Sequence, residues 1–121
     1  MFGENAFTYK EIIKKTIYYF GHTLQKVVAI EELSELQKAL TKSIRYEETR
    51  KTEAYTNKEI RIRKDIIEEL ADVQICIDQI MEMFEIDADE IAEEKANKIK
   101  RLNDRINALI QEAKAANGLD L

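Results

Sequence analysis

Hydrophobic residues recur every three or four positions along most of the chain, the spacing of amphipathic α-helices. Four such stretches are separated by polar or glycine-containing junctions, and the chain contains no proline. The pattern predicts four helices, bounded by about Thr8 to Gly21, Thr23 to Ile44 or beyond, Lys58 to Phe84, and Asp87 or Asp89 to Ala116. Residues 1–121 are therefore expected to form one all-α domain, a four-helix antiparallel bundle.

A line of apolar residues along each helix predicts its buried face. In the second helix the line is Val27, Ile30, Leu33, Leu36, Leu40 and Ile44, and in the fourth it is Ile99, Leu102, Ile106, Leu109 and Ala113. The third helix is apolar over a wider surface, which favours contact with more than one neighbour. Because so short a chain builds only a small core, we expect a homodimer or a homotetramer.

Residues 45–57, the polar connector, are the least apolar stretch of the chain. Their composition fits two arrangements equally well. Either they continue the second helix into solvent, or they form a loop that covers a site as a lid.

Composition excludes several classes of function. The formal net charge is −5, which argues against nucleic acid as a partner, because phosphate backbones attract basic surfaces. No apolar run reaches the roughly 18 residues of a membrane span, and Glu4, Lys10 and Glu11 interrupt any signal peptide. The protein is therefore expected to be cytoplasmic, with no membrane contact. Its single cysteine, Cys76, lies among aliphatic residues and is expected in the core.

One acidic motif occurs twice in the sequence. Residues 31–36 read EELSEL, and residues 68–73 read EELADV. Each copy places two carboxylates three residues apart, and therefore on one face of its helix. If the two helices face each other, Glu32, Glu35, Glu69 and Asp72 converge. Such a cluster repels itself unless a cation lies within it, and Mg²⁺ prefers oxygen ligands.

The alternative is that these acids belong to solvated surfaces, since 36% of the residues are charged. Their neighbours on the same face argue against this alternative. In the second helix, the neighbours of Glu32 and Glu35 on this face are Gln25, Val28 and Ala39. In the third helix, the neighbours of Glu69 and Asp72 are Cys76, Gln79 and Met83. Ionised carboxylates beside such residues are costly unless they are paired or bound to metal. The acids are therefore expected at the edge of, or within, the packed side.

A basic line lies beside the apolar line of the fourth helix. It consists of Lys98, Arg101 and Arg105, spaced three and four apart. Three cations on one face suit a triphosphate, although such a line is also common on the solvated flank of a helix.

These motifs together resemble the signature of the MazG-like, all-α nucleoside triphosphate pyrophosphohydrolases. The signature is Glu-Glu-x-x-Glu followed by Glu-x-x-Asp, and residues 31–35 and 69–72 carry it. The likeness extends over residues 20–106, including Gln25 before the first motif and Lys98 to Leu102 after the second. The interval between the motifs is longer than in the shortest members, and the excess falls in the polar connector.

The resemblance implies a Mg²⁺-dependent enzyme, with Mn²⁺ as a substitute, that hydrolyses a nucleoside triphosphate to a monophosphate and pyrophosphate in nucleotide-pool housekeeping. It implies that Mg²⁺ is held by Glu32, Glu35, Glu69 and Asp72. Glu31 would orient or deprotonate the attacking water, with Glu68 as the alternative. Substrate would be bound through its phosphates by Lys98, Arg101 and Arg105, and through its base or sugar by Gln25.

Other functions stay open. No residue identifies the base, so a dUTP/dCTP-specific or phosphoribosyl-ATP pyrophosphatase is an alternative. A non-catalytic helical interaction module, which would gain nothing from Mg²⁺, is another. A di-iron or di-manganese bundle is disfavoured, because such sites use Glu-x-x-His pairs and His22, the only histidine, lies in neither motif.

Overall fold

The computed structural model describes residues 7–49 and 57–118, and within them the chain is all-α, with no strand. The four helices are α1 (Tyr9–Phe20), α2 (His22–Thr49), α3 (Asn57–Met83) and α4 (Ala88–Ala116). The prediction of four helices is confirmed. The chain divides after Glu85 into two compact units, the first containing α1 to α3 and the second containing α4. The organisation of residues 1–121 as a single domain stays a prediction.

Local signals set the ends of the helices. The side chain of Thr8 accepts a hydrogen bond from the backbone N–H of Glu11 and caps α1. Gly21 ends α1 with a positive φ of 83°. Asp87 and Glu90 form a reciprocal capping box at the start of α4. Because these bonds involve residues only three apart, sequence alone could locate them.

Helices α2 and α3 run antiparallel. Tyr46, near the end of α2, donates a hydrogen bond of 3.1 Å from its hydroxyl to Oε1 of Glu59, near the start of α3. Helix α1 lies against the other end of α3, where the Tyr9 hydroxyl donates to Oδ2 of Asp78 at 2.5 Å. This arrangement leaves the middle of α2 facing the middle of α3.

The buried face of α2 differs from the predicted one. The buried residues are Gln25, Ala29 and Ala39. The predicted aliphatic line is exposed, except for Leu36, which is half-buried: Val27, Ile30, Leu33, Leu40 and Ile44. Small alanines leave room for a neighbouring helix, so the packed side of α2 is the face that carries Glu32. Glu32 is half-buried at the border of this packed side, as predicted, whereas Glu35 is exposed.

The buried residues of α3 lie on the C-terminal side of its two acids, Glu69 and Asp72. Val73, Cys76, Gln79 and Met83 are buried, as predicted for Cys76. The buried amide of Gln79 is satisfied, because its Nε2 donates to Oγ1 of Thr16 on α1 at 3.0 Å.

Helix α4 is continuous, and none of its residues is buried. Its predicted core line is exposed, and its packing into a four-helix bundle stays a prediction. Residues 45–49 of the polar connector belong to α2 and Asn57 to α3; the rest of the connector lies outside the described residues. Among the described helices, none is long and apolar enough to cross a membrane.

Candidate metal centre

Three carboxylates converge between α2 and α3. Glu32 comes from α2, and Glu69 and Asp72 come from α3. One oxygen from each carboxylate lies within 4.8 Å of the others. Because Glu69 and Asp72 are three residues apart, they share a face of α3, and antiparallel packing brings Glu32 opposite that face. We call these three residues the acid cluster.

The acid cluster lies at the edge of the packed interior. Glu32 and Glu69 are half-buried and Asp72 is exposed. The Oε2 atom of Glu69 is buried and has no hydrogen-bond partner among the described residues. A buried polar atom without a partner is costly, so this oxygen marks a position where a cation would stabilise the fold.

The electrostatics of the acid cluster follow from this crowding. Burial raises the pKa of Glu32, and the charges of Asp72 and Glu69 and a hydrogen bond to Asp72 raise it further. Burial likewise raises the pKa of Glu69, and the charges of Asp72 and Glu35 add to the effect. Both carboxyl groups resist ionisation, as expected for an acidic cluster without a counter-ion.

Glu35 lies beside the acid cluster but outside the group of converging oxygens. It is exposed, and its Oε1 forms a 3.2 Å salt bridge with Nζ of Lys38. Its charge nevertheless contributes to the raised pKa of both Glu32 and Glu69. The structure therefore brings together three of the four acids that were predicted to bind metal.

The predicted catalytic base and its alternative are both exposed and adjacent to the acid cluster. Glu31 precedes Glu32, and Glu68 precedes Glu69. The charge of Glu68 adds to the raised pKa of Glu69. Gln25, the predicted base or sugar ligand, is buried at 6% exposure and lies about two turns before Glu32 on α2.

The predicted phosphate-binding residues lie on α4, in the second unit, and are described only within that helix. All three are exposed. Lys98 Nζ and an Arg101 guanidinium nitrogen each lie 3.9 Å from Oε1 of Glu94. Arg105 follows Arg101 by four residues on the same face.

Sequence reasoning missed a second feature of the α2–α3 pair, which we call the basic cleft. It is a cavity of about 350 Å³ lined by Lys42, Arg45, Tyr46, Lys58, Arg61, Ile62 and Asp65. Its cations are spaced three apart on each helix, which is visible in the sequence. That spacing does not show that the pair on α2 faces the pair on α3, because the meeting depends on how the two helices pack.

No family model, curated protein or solved structure matches the chain. The chemistry of the site itself points to a hard divalent cation. Three carboxylates converge, and one of them has a buried oxygen without a partner. Such an all-oxygen donor set, open to solvent on one side, suits Mg²⁺ or Mn²⁺.

Proposed function

We propose that the protein is a Mg²⁺-dependent nucleoside triphosphate pyrophosphohydrolase that releases a monophosphate and pyrophosphate. The observation that carries the proposal is the convergence of Glu32, Glu69 and Asp72 within 4.8 Å, on the two motifs that resemble the MazG-like signature. A solvated surface would leave its carboxylates separated and hydrated, whereas here one oxygen of Glu69 is buried without a partner.

The residues present fit a divalent cation. Glu32, Glu69 and Asp72 would hold it, and Glu35 would join them once released from Lys38, to which it is bonded at 3.2 Å. When bound, Mg²⁺ neutralises phosphate charge and lowers the pKa of a coordinated water. The protein supplies the orientation, because both helices fix their carboxylates by packing.

The remaining residues have roles in proton transfer and substrate binding. Glu31, or Glu68 in its place, accepts the proton of the attacking water, since each is one residue from an acid of the cluster. Gln25 stays a predicted ligand of the base or sugar, and its burial means that its side chain would have to turn outward to reach either. Lys98 and Arg101, with Arg105 beside them on α4, stay the phosphate ligands that the sequence predicts. The same site would serve a dUTP/dCTP-specific or phosphoribosyl-ATP pyrophosphatase.

The test is a comparison of Asp72→Asn with wild type, by release of pyrophosphate and of orthophosphate from a panel of nucleoside triphosphates. We expect wild type to release pyrophosphate only when Mg²⁺ or Mn²⁺ is present. Asp72→Asn should lower kcat/KM by about 100-fold or more, because even residues that merely support metal ligands cost 10- to 100-fold.

Asp89→Asn is the matched control, because Asp89 is an exposed aspartate in the first turn of α4. It should retain wild-type activity. Full activity of Asp72→Asn, or orthophosphate as the first product, would exclude the assigned reaction at this site.

A further inference from the structure

The basic cleft concentrates positive charge in a protein whose formal net charge is −5. Four of its seven lining residues are cationic and one, Asp65, is acidic. Among the described residues, Lys42 and Arg61 form no salt bridge. The ammonium of Lys58 lies 5.5 Å from the ring centroid of Tyr46. Cations grouped in this way repel one another and attract an anion of several charges.

Helix periodicity places the basic cleft on the side of the α2–α3 pair that carries the acid cluster. On α3, Asp65 lies one turn and Arg61 two turns before Glu69, so Arg61 is displaced by about 12 Å along the axis. On α2, Lys42 follows Glu35 by two turns, or about 10 Å. The charge of Asp65 also contributes to the raised pKa of Glu69, which places the two features in electrostatic contact.

The opposite side of the same helix pair has a different charge pattern. Tyr46 and Ile62 line both sides and separate the basic cleft from a second cavity of about 520 Å³. The remaining lining of that cavity carries two acids and one cation: Glu47, Glu59 and Arg63. The excess of positive charge therefore lies on the side of the basic cleft, and the general surface composition does not explain it.

We propose that the basic cleft is a second phosphate-binding subsite, in which Lys42, Lys58 and Arg61 bind the pyrophosphate end of the substrate while its reacting phosphate lies at the acid cluster. The identity of the anion as pyrophosphate rests on the function proposed above. The binding of a polyanion rests only on the charges and geometry of the cleft. Arginine and lysine donors surrounding one cavity provide charge-assisted hydrogen bonds from several directions.

The experiment is a titration of ¹⁵N-labelled full-length protein with inorganic pyrophosphate in EDTA, followed by amide chemical shifts. We expect the largest shifts at Lys42, Lys58 and Arg61, and tighter binding of pyrophosphate than of orthophosphate. Arg61→Gln and Lys42→Gln should each weaken pyrophosphate binding about tenfold, the loss of one charge-assisted hydrogen bond.

Arg63→Gln is the matched control, since Arg63 lies two residues from Arg61 on the same helix but lines the opposite cavity. Its pyrophosphate affinity should stay within about twofold of wild type, as expected for a surface charge outside the site. Equal losses in Arg61→Gln and Arg63→Gln, or no binding by wild type, would overturn the proposal. Because the substituted side chains are exposed, the variants should keep the wild-type circular dichroism spectrum and melting temperature.

The outcomes separate this subsite from the proposed function. Pyrophosphate binding that depends on Arg61, without Mg²⁺-dependent hydrolysis, would keep the subsite and exclude the enzyme. Hydrolysis with an unchanged KM and an unchanged pyrophosphate affinity in Arg61→Gln and Lys42→Gln would keep the enzyme and exclude the subsite.

Discussion

Glu69 is the member of the acid cluster whose carboxylate has a buried oxygen and also lies close to other negative charges. Its Oε2 atom is buried without a partner, and burial and the Asp72 charge raise the pKa of its carboxyl group. Without a bound cation, the protein would hold a repulsive group at the edge of its core. A cation that binds only the folded state would remove the repulsion and stabilise the protein by mass action.

We predict that Glu69→Gln raises the melting temperature in EDTA and reduces the stabilisation by Mg²⁺. Wild type should gain about 2.7 kcal/mol at a hundredfold excess of Mg²⁺ over Kd. Thermal melts of both proteins, with EDTA and with Mg²⁺, provide the measurement. Glu93→Gln, an exposed change on α4, controls for net charge. Four coincident melts for wild type and Glu69→Gln would show that the acid cluster binds no metal.

Tyr9 supplies a prediction at alkaline pH. A hydrogen bond to Asp78, burial and the Asp78 charge raise the pKa of its phenol to about 12. A raised pKa means that the folded state holds the proton more tightly. The resulting stability is complete below the unfolded pKa of about 10 and is lost as pH rises through the folded pKa of about 12.

Tyr9→Phe should therefore be less stable than wild type at pH 8, and the difference should shrink between pH 10 and 12. Chemical denaturation at a series of pH values measures it. Tyr18→Phe is the control, since Tyr18 is 82% exposed and its loss should leave stability unchanged. A difference between Tyr9→Phe and wild type that stays constant across this range would contradict the assigned bond.

At the scale of elements, Gly21 sets the junction between α1 and α2. Its φ of 83° and ψ of 161° belong to a region open almost only to glycine. A Cβ built there meets no atom within 4 Å, so any cost of substitution comes from the backbone conformation and not from a clash.

Gly21→Ala should destabilise the protein by about 1–3 kcal/mol. Denaturant unfolding measures the change. Gln111→Ala, an exposed helical substitution on α4, should stay within about 0.5 kcal/mol of wild type. A neutral Gly21→Ala would mean that the α1–α2 junction can adopt another conformation at little cost.

At the scale of the whole molecule, an exposed apolar stripe on α3 predicts self-association. It consists of Ile60, Ile67, Leu70 and Ile77 on α3 and of Phe84, the residue after the end of α3, each between 44% and 62% exposed. The spacing by three or seven keeps these residues on one side of α3, as in helices that pair. Monomeric proteins rarely expose large contiguous apolar surfaces, so we expect a second copy of the chain to cover the stripe.

Light scattering should therefore give a mass of at least twice the 14.1 kDa of one chain. Ile77→Lys should shift the mass toward that of one chain, because a buried unpaired charge opposes association. Lys10→Gln, an exposed change on α1, should leave the mass unchanged. A wild-type mass of one chain at micromolar concentration would exclude the oligomer.

The four helices can be predicted from the amino-acid sequence, because helix periodicity and caps depend on residues three or four apart. Thr8, Gly21 and Asp87 are residue types that favour helix ends, so they indicate those ends without a structure. The spacing of Glu69 and Asp72 places both acids on one face of their helix. The rotation of α2 about its own axis could not be predicted in this way, because apolar residues occur on more than one side of that helix.

Only tertiary packing decided which side of α2 is buried. With Ala29 and Ala39 on the buried side of α2, Glu32 faces the acids of α3 and the larger aliphatic residues are exposed. The same packing gathered three acids, left Glu35 bonded to Lys38, and formed the basic cleft from residues on two helices. These features depend on pairs far apart in sequence, whose meeting is fixed by how two helices fit together and not by the period of either one.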